Sequence, residues 1–376
     1  MWPDWLAVFA AGEDRILAEL EALVRRESPS ADAEAVTALA EDVVARLRAA
    51  GVRAARRPCP PAGDAVVASI GPEGAPGTLL LGHLDTVWPA GSFGPQLWRV
   101  DGDRACGPGV FDMKAGVAVA LAALRALAAR ADAPPVELLL VPDEEVGSAA
   151  SRGLTVELAR RHRRVLVLEP SLDGSAKVAR KGCGVFVARF RGRAAHAGLD
   201  PESGVSALAE MARFALFVAG VGGSAAGTTV TATVARAGAA SNVVPEEAEL
   251  TVDARAWTLD EAARVDAALR SYAPADARVA VSVEGGFDRP PLEESAASRR
   301  LYEAARRVAG GLGLELGAAR VGGASDGNFT AAAGVPTLDG LGPRGGGAHA
   351  RDEHVLVSDL ARRAALVAAL LTTSVD

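Results

Sequence analysis

Hydrophobic positions recur along the chain with two different periods. Near the start, Ile16, Leu17, Leu20, Leu23 and Val24 share one face of a helix, and Ser28-Pro29 ends the run. A second helical stripe follows Asp32, with Val36, Leu39, Val43, Val44 and Leu47 on one side and Gly51 as its stop. Three short unbroken apolar runs, Thr78 to Leu84, Val136 to Val141 and Val165 to Leu168, read as parallel strands buried on both faces. A long Ala/Leu helix from Lys114 to Arg130 lies between the first two. Strand, helix and strand in this order predict a central sheet covered by helices, an α/β/α layer arrangement.

The pattern changes beyond residue 180. Val185 to Arg191 reads as a strand, Gly204 to Val218 as a helix, and Thr229 to Ala235 and Glu249 to Ala256 as alternating strands. Asp260 to Tyr272 then reads as a helix and Arg278 to Val283 as a last strand. The order β-α-β-β-α-β is that of a ferredoxin-like α+β unit. Arg289-Pro290-Pro291 marks an exit linker, and Leu292 to Asp376 carries two long helical patterns around a Gly-rich stretch. The sequence therefore predicts a discontinuous α/β domain, residues 1–179 and 290–376, interrupted by an inserted domain, residues 180–289.

Composition narrows the function classes. The chain has 376 residues, 49% of them hydrophobic, which is ample for two cores. Its net charge of −7 argues against nucleic-acid and anionic-membrane partners, and 4% aromatics disfavours base-stacking platforms. The opening, Met1 to Ala10, has no basic region and is interrupted by Asp4, so no signal peptide is expected. The longest apolar run, Ala115 to Leu124, falls short of the roughly 20 residues needed to cross a bilayer. Cys59, Cys106 and Cys183 are odd in number and without CxxC spacing, which fits a reduced cytoplasm better than a disulfide framework.

Chemistry gathers where the strands stop. In parallel sheets, functional groups cluster beyond the carboxyl ends of the strands. Here the first buried run ends in Gly82-His83-Leu84-Asp85, the second in Asp143-Glu144-Glu145 and the third in Glu169-Pro170. A fourth group, Gly107 to Asp112, precedes the long helix, and a fifth, His349 to His354, follows the glycines near the C-terminus. Imidazole with carboxylate suits zinc, with manganese or cobalt as substitutes. One ion takes three or four such ligands, so this set suits two ions sharing a carboxylate. Taken singly, each piece is weak. A lone histidine is more often structural, and His162, inside an Arg-rich run, is read that way. Glu144-Glu145 alone is an ordinary solvated turn. Gly107-x-Gly109 resembles a dinucleotide loop, but Trp98 to Cys106 before it holds Asp101, Asp103 and Arg104 and is no buried strand. Joint placement at strand ends raises the metal reading above these.

The motifs Gly82-His83-Leu84-Asp85-Thr86-Val87, Gly107-Pro108-Gly109-Val110-Phe111-Asp112-Met113-Lys114 and Asp143-Glu144-Glu145-Val146-Gly147-Ser148 resemble those of the M20 metallopeptidase family. Glu169-Pro170 and His349 complete the set, and the resemblance covers nearly the whole chain. Gly286-Phe287-Asp288-Arg289-Pro290-Pro291-Leu292-Glu293 is similar to a segment of the glutamate carboxypeptidase branch. The resemblance implies a zinc-exopeptidase-like catalytic domain with an inserted dimerisation, or lid, domain. It implies two Zn2+ per subunit, with Co2+ or Mn2+ as alternatives: His83 and Glu169 on one ion, Glu145 and His349 on the other, and Asp112 between them. Asp85 would hold the far nitrogen of His83, and a cis peptide would follow Asp112. Glu144 would be the general base. His196, in Ala195-His196-Ala197-Gly198, would reach across a homodimer to stabilise the neighbour's oxyanion. Asn242 and Arg255 would bind the substrate carboxylate, Arg255 through its planar fork. His354 competes with His349 as a ligand, and His349 is preferred because it follows the Gly-rich loop. Phe111 stands where the family carries smaller residues.

The implied reaction is hydrolysis of the amide bond to a C-terminal amino acid, glutamate-like, in a small peptidyl or N-acyl substrate. An N-acyl-amino-acid deacylase or dipeptidase of the same family is the alternative. A catalytically inactive amino-acid-binding protein is disfavoured because Glu144 and every ligand position are filled. A nucleotide-binding oxidoreductase is the remaining outsider.

Overall fold

A computed structural model describes residues 4–223 and 227–373. Met1 to Pro3, on which the signal-peptide expectation partly rests, lie outside the described residues. The chain divides into two compact units, the second made of Ala179–Glu293 with Val321–Ala324 and the first of the flanking sequence.

The first unit is built on a six-stranded sheet in the order Arg53–Pro58, Asp64–Ile70, Val136–Val141, Thr78–His83, Arg164–Val167 and Thr337–Leu338. The last four run parallel, and the hairpin Arg53–Pro58/Asp64–Ile70 adds an antiparallel edge. The unbroken apolar runs have a simple cause. Alternate residues feed opposite faces, and both faces are covered. Leu80, Leu138, Leu140, Leu166 and Leu168 join the large core beneath the helices Glu13–Val24, Ala33–Ala49, Ala115–Ala128 and Val357–Leu371. Leu79, Leu81, Leu139, Val141, Val165 and Val167 pack on the other side with Leu158 and Ala159 of helix Arg152–Ala159. Asp32 caps its helix by accepting from Ala35 N at 3.0 Å.

Helix Ala115–Ala128 is buried nearly all round, as its apolar sequence requires. At Gly116 a Cβ would lie 2.1 Å from the Leu168 carbonyl. Only glycine lets the helix start against the strand end that carries Glu169. Among the described residues no helix is long and apolar enough to cross a membrane. Cys59, Cys106 and Cys183 are free thiols.

The second unit is a four-stranded antiparallel sheet in the order Thr229–Ala237, Glu247–Ala256, Gly182–Arg191, Ala280–Arg289. Helices Ala207–Val221 and Leu259–Arg270 supply Phe214, Val218, Val265 and Leu269 to its core. Strand Gly182–Arg191 alternates strictly: Phe186, Ala188 and Phe190 are buried, while Val185, Arg189 and Arg191 are exposed. The α/β/α core interrupted by a ferredoxin-like α+β unit is the fold class the sequence implied.

Candidate metal centre

Three neighbouring parallel strands end at the same edge of the sheet, which brings their following residues together. His83 is the last residue of its strand and is 2% exposed. Its Nδ1 faces the Asp85 backbone carbonyl at 2.9 Å. A carbonyl only accepts, so Nδ1 carries a proton, which leaves Nε2 as the ring atom a cation would take. That Nε2 lies 3.2 Å from Asp112 Oδ1 and 3.5 Å from Glu169 Oε1. On the other side, His349 Nε2 lies 3.1 Å from Glu145 Oε2 and 3.6 Å from Asp112 Oδ2. The two oxygens of one carboxylate thus face two separate clusters, His83/Asp112/Glu169 and Asp112/Glu145/His349. The structure brings together all five residues expected as ligands. His354 instead sits on the short strand His354–Leu356, its Nδ1 2.9 Å from the Asp352 carbonyl.

Asp85 is fully buried, and its carboxylate does more than attend His83. It accepts from Glu144 N at 3.1 Å, Glu145 N at 3.2 Å and Ser30 Oγ at 2.6 Å, while its Oδ1 stands 3.5 Å from His83 Nδ1. The bond nearest Nδ1 comes from the main chain, and the side chain fixes the turn that carries Glu144 and Glu145. Asp112 lies on a loop built for close approach. Gly109 has φ +68°, and a Cβ there would come 2.3 Å from Thr86 Cγ2. The Asp112–Met113 peptide is cis, and His349 has φ +60°.

The electrostatics match the donor set. Burial works against a proton on His83, yet the carboxylates of Asp112 and Asp85 raise its pKa well above the ordinary value. Glu145 pushes His349 up to about 9, with Asp112 adding to it. A field that draws protons onto two imidazoles also draws divalent cations. Among the described residues, buried Glu145 Oε1 has no hydrogen-bond partner, as an acceptor left for positive charge would. Two ligand atoms about 2.0–2.1 Å from one tetrahedral zinc stand about 3.3 Å apart; the imidazole–carboxylate separations of 3.1–3.6 Å bracket that value. The residues fit a pair of divalent cations.

The remaining expected residues lie on the second unit. His196 is exposed and pairs with Val243 across a bridge. Its Nδ1 accepts from Gly198 N and Leu199 N, both at 3.1 Å, so its Nε2–H is an outward donor. Ala197 N donates to the Asn242 carbonyl at 2.8 Å, with Asn242 exposed beside it. Arg255, expected to take the substrate carboxylate, has its fork occupied. Its Nε and Nη2 grip both oxygens of Asp253, each at 3.0 Å, and its Nη1 reaches Cys183 Sγ. Residues two apart on a strand share a face, which puts this pair in reach of each other. Arg255 pairs with Cys183 at one end of the sheet, whereas Glu247 pairs with Arg191 at the other, the end that leads to His196. The two ends are about 27 Å apart at the rise of an extended strand.

His162 is structural as read: its Nε2 lies 2.9 Å from Glu137 Oε2 and its Nδ1 accepts from Gly77 N. No role for Glu353 is readable from the sequence; it is 1% exposed and accepts from three main-chain N–H groups of the Asp112 loop and from the Trp88 indole. Its partners are mostly main-chain N–H groups more than 240 residues away, and these leave no trace in side-chain patterns.

The chain is similar to known proteins along most of its length. The family model described as peptidase family M20/M25/M40 matches residues 79–373. The chain is 33% identical to carboxypeptidase G2 of Pseudomonas sp. (strain RS-16), over 97% of this chain and 91% of that protein. It is 36% identical to N-acetyl-L-citrulline deacetylase of Xanthomonas campestris over 40% of each chain. The solved structure of aminopeptidase PepT from Bacillus cereus shares the fold, with a TM-score of 0.79 and 22% identity, covering 96% of this chain and 98% of that one.

Proposed function

The chain belongs to peptidase family M20/M25/M40, and on that premise we propose that it hydrolyses the amide bond to a C-terminal, glutamate-like amino acid in a peptidyl or N-acyl substrate. The observation that carries the reaction class is the shared Asp112, whose two oxygens face His83 and His349 separately. His83, Asp112 and Glu169 would hold one cation, and Asp112, Glu145 and His349 the other, with zinc first among the candidates. When bound, the two cations lower the pKa of water and polarise the scissile carbonyl. Glu144, held by its main-chain N–H against Asp85, accepts a proton from the attacking water. It then delivers that proton to the amide nitrogen as the C–N bond breaks, releasing an amine and a carboxylate. Asp85 sets the direction of both glutamates.

Likeness to carboxypeptidase G2 over nearly the full length supports the carboxypeptidase reading. Local likeness to an N-acetyl-amino-acid deacetylase supports N-acyl-amino-acid deacylation as the second. A panel of N-acyl-glutamates, dipeptides and N-acetylornithine separates them. We expect the highest kcat/KM on acyl-glutamates. Because Arg255 is tied to Asp253, it would receive the substrate carboxylate as half of an ion pair. Arg255→Ala should raise KM about tenfold or more for carboxylate substrates, the worth of a charge-assisted bond, with cation content unchanged. Equal turnover of decarboxylated analogues by the wild type would rule the substrate class out.

The inserted unit is proposed to form a homodimer. Its edge strand Thr229–Ala237 is largely exposed, and Leu199 and Leu216 are 82% and 78% exposed. The separation of His196 from Arg255 supports sharing, because a compact site cannot take both from one copy. His196 Nε2–H would then serve the oxyanion of the partner's site. Mixed His196→Ala and Glu144→Gln chains should regain about half the wild-type rate per heterodimer, since two-fold symmetry leaves one complete site. Verified heterodimers as inactive as either parent would end the sharing idea.

A further inference from the structure

The Asp112 carboxylate can face two clusters only if the backbone beneath it holds its shape. That backbone, Gly107 to Asp112, leaves three N–H groups pointing inward, and one buried side chain takes them all. Glu353 Oε1 accepts from Phe111 N at 2.9 Å and Asp112 N at 3.0 Å. Its Oε2 accepts from Gly109 N at 3.0 Å and Trp88 Nε1 at 3.1 Å. Four donors saturate the acceptor capacity of one carboxylate, and no neutral side chain offers that many acceptor sites. Glu353 is 1% exposed, so water does not replace these bonds. The buried Lys114 side chain donates to the Arg26 carbonyl at 2.8 Å and lies within Coulombic range of Glu353, although burial pulls its pKa down to about 7.

Glu353 also ties the loop to the opposite ligand. It lies four residues after His349, on the turn joining that histidine to strand His354–Leu356. A Cβ on Gly347 would come 3.0 Å from the Glu353 Cα and N. One side chain therefore locks together the segment that carries Asp112 and the segment that carries His349. Trp88 extends the lock. Its ring stacks edge-on with Phe93 at 4.8 Å, and the Arg351 guanidinium lies 5.3 Å from both ring centres.

We infer that Glu353 is a positioning residue for the shared metal carboxylate, acting through the main-chain N–H groups of Gly109, Phe111 and Asp112 and through Trp88. This role rests on the proposed metal reading of Asp112 and adds a residue that touches neither substrate nor cation. Outer-shell partners of metal ligands typically set about 10–100-fold in affinity. In Glu353→Gln, either orientation of the amide turns an NH2 toward two N–H donors, so two of the four donors lose their acceptor without a change in size.

The test is Co(II) binding to the full-length chain by equilibrium dialysis, with the visible absorption spectrum recorded alongside. Wild type should bind two Co(II). Glu353→Gln should weaken binding about 10–100-fold and alter the ligand-field bands. Trp88→Phe, which removes one donor and orphans no backbone group, should lose less than Glu353→Gln. A merely structural role would lower thermal stability while leaving affinity and spectrum as in wild type, and that result overturns the inference. Wild type that takes up no Co(II) would sink the metal reading itself, and the positioning role with it. Should Glu353→Gln fail to fold, hydrogen exchange in the wild type decides. The amides of Gly109, Phe111 and Asp112 should be protected in metal-stripped protein, because Glu353 holds them without help from a cation. Rapid exchange there would contradict the inference.

Discussion

Glu144→Gln should lose about 10²–10⁴-fold in kcat while binding the same complement of cations. The loss is the contribution of a positioned proton carrier, about 3–5 kcal/mol of transition-state stabilisation. Glutamine keeps the size of the side chain and leaves the main-chain N–H bonded to Asp85, so the turn and the neighbouring Glu145 stay where they are. What disappears is the ability to take a proton from water and return it to the departing nitrogen. Steady-state kinetics on an acyl-glutamate, paired with metal analysis of the same sample, separate the two effects. A variant with near wild-type kcat would remove Glu144 from the reaction. A variant that lost its cations would make it a ligand instead.

Asp112→Ala should have the larger effect on composition. One carboxylate faces both imidazoles, at 3.2 Å and 3.6 Å, so its removal takes a ligand from each cluster at once. The expected loss of affinity exceeds the roughly 10–100-fold typical of an outer-shell partner. Metal content after dialysis at micromolar zinc should fall from two ions to none, and activity should fall with it. Glu169→Ala, which touches only the His83 cluster, should fall to one ion. If Asp112→Ala and Glu169→Ala lost the same single ion, the carboxylate would not be shared.

Much of this site was legible because strand ends and side-chain types coincide. The runs at Thr78, Val136 and Val165 are unbroken for a physical reason: both faces of these strands are buried. Once they are read as adjacent parallel strands, His83, Glu145 and Glu169 must emerge at one edge. The hairpin Arg53–Pro58/Asp64–Ile70 leaves no such signal. Its outer strand buries none of its residues, so Arg53, Arg56 and Arg57 carry no alternation to detect. Helices Trp5–Ala10, Arg152–Ala159 and Gly327–Ala332 are too short to show a stripe. The Asp253–Arg255 pair was readable in principle, since opposite charges two apart on a strand share a face. Glu353 was not, because main-chain N–H groups are the same in every sequence.

The proposed reaction requires two cations, one on either side of Asp112. The most direct measurement is anomalous diffraction at the zinc edge from crystals of the zinc-loaded protein. Two peaks about 3.5–4 Å apart are expected, one among His83, Asp112 and Glu169 and the other among Asp112, Glu145 and His349. A single peak, or zinc bound away from Asp112, would contradict it.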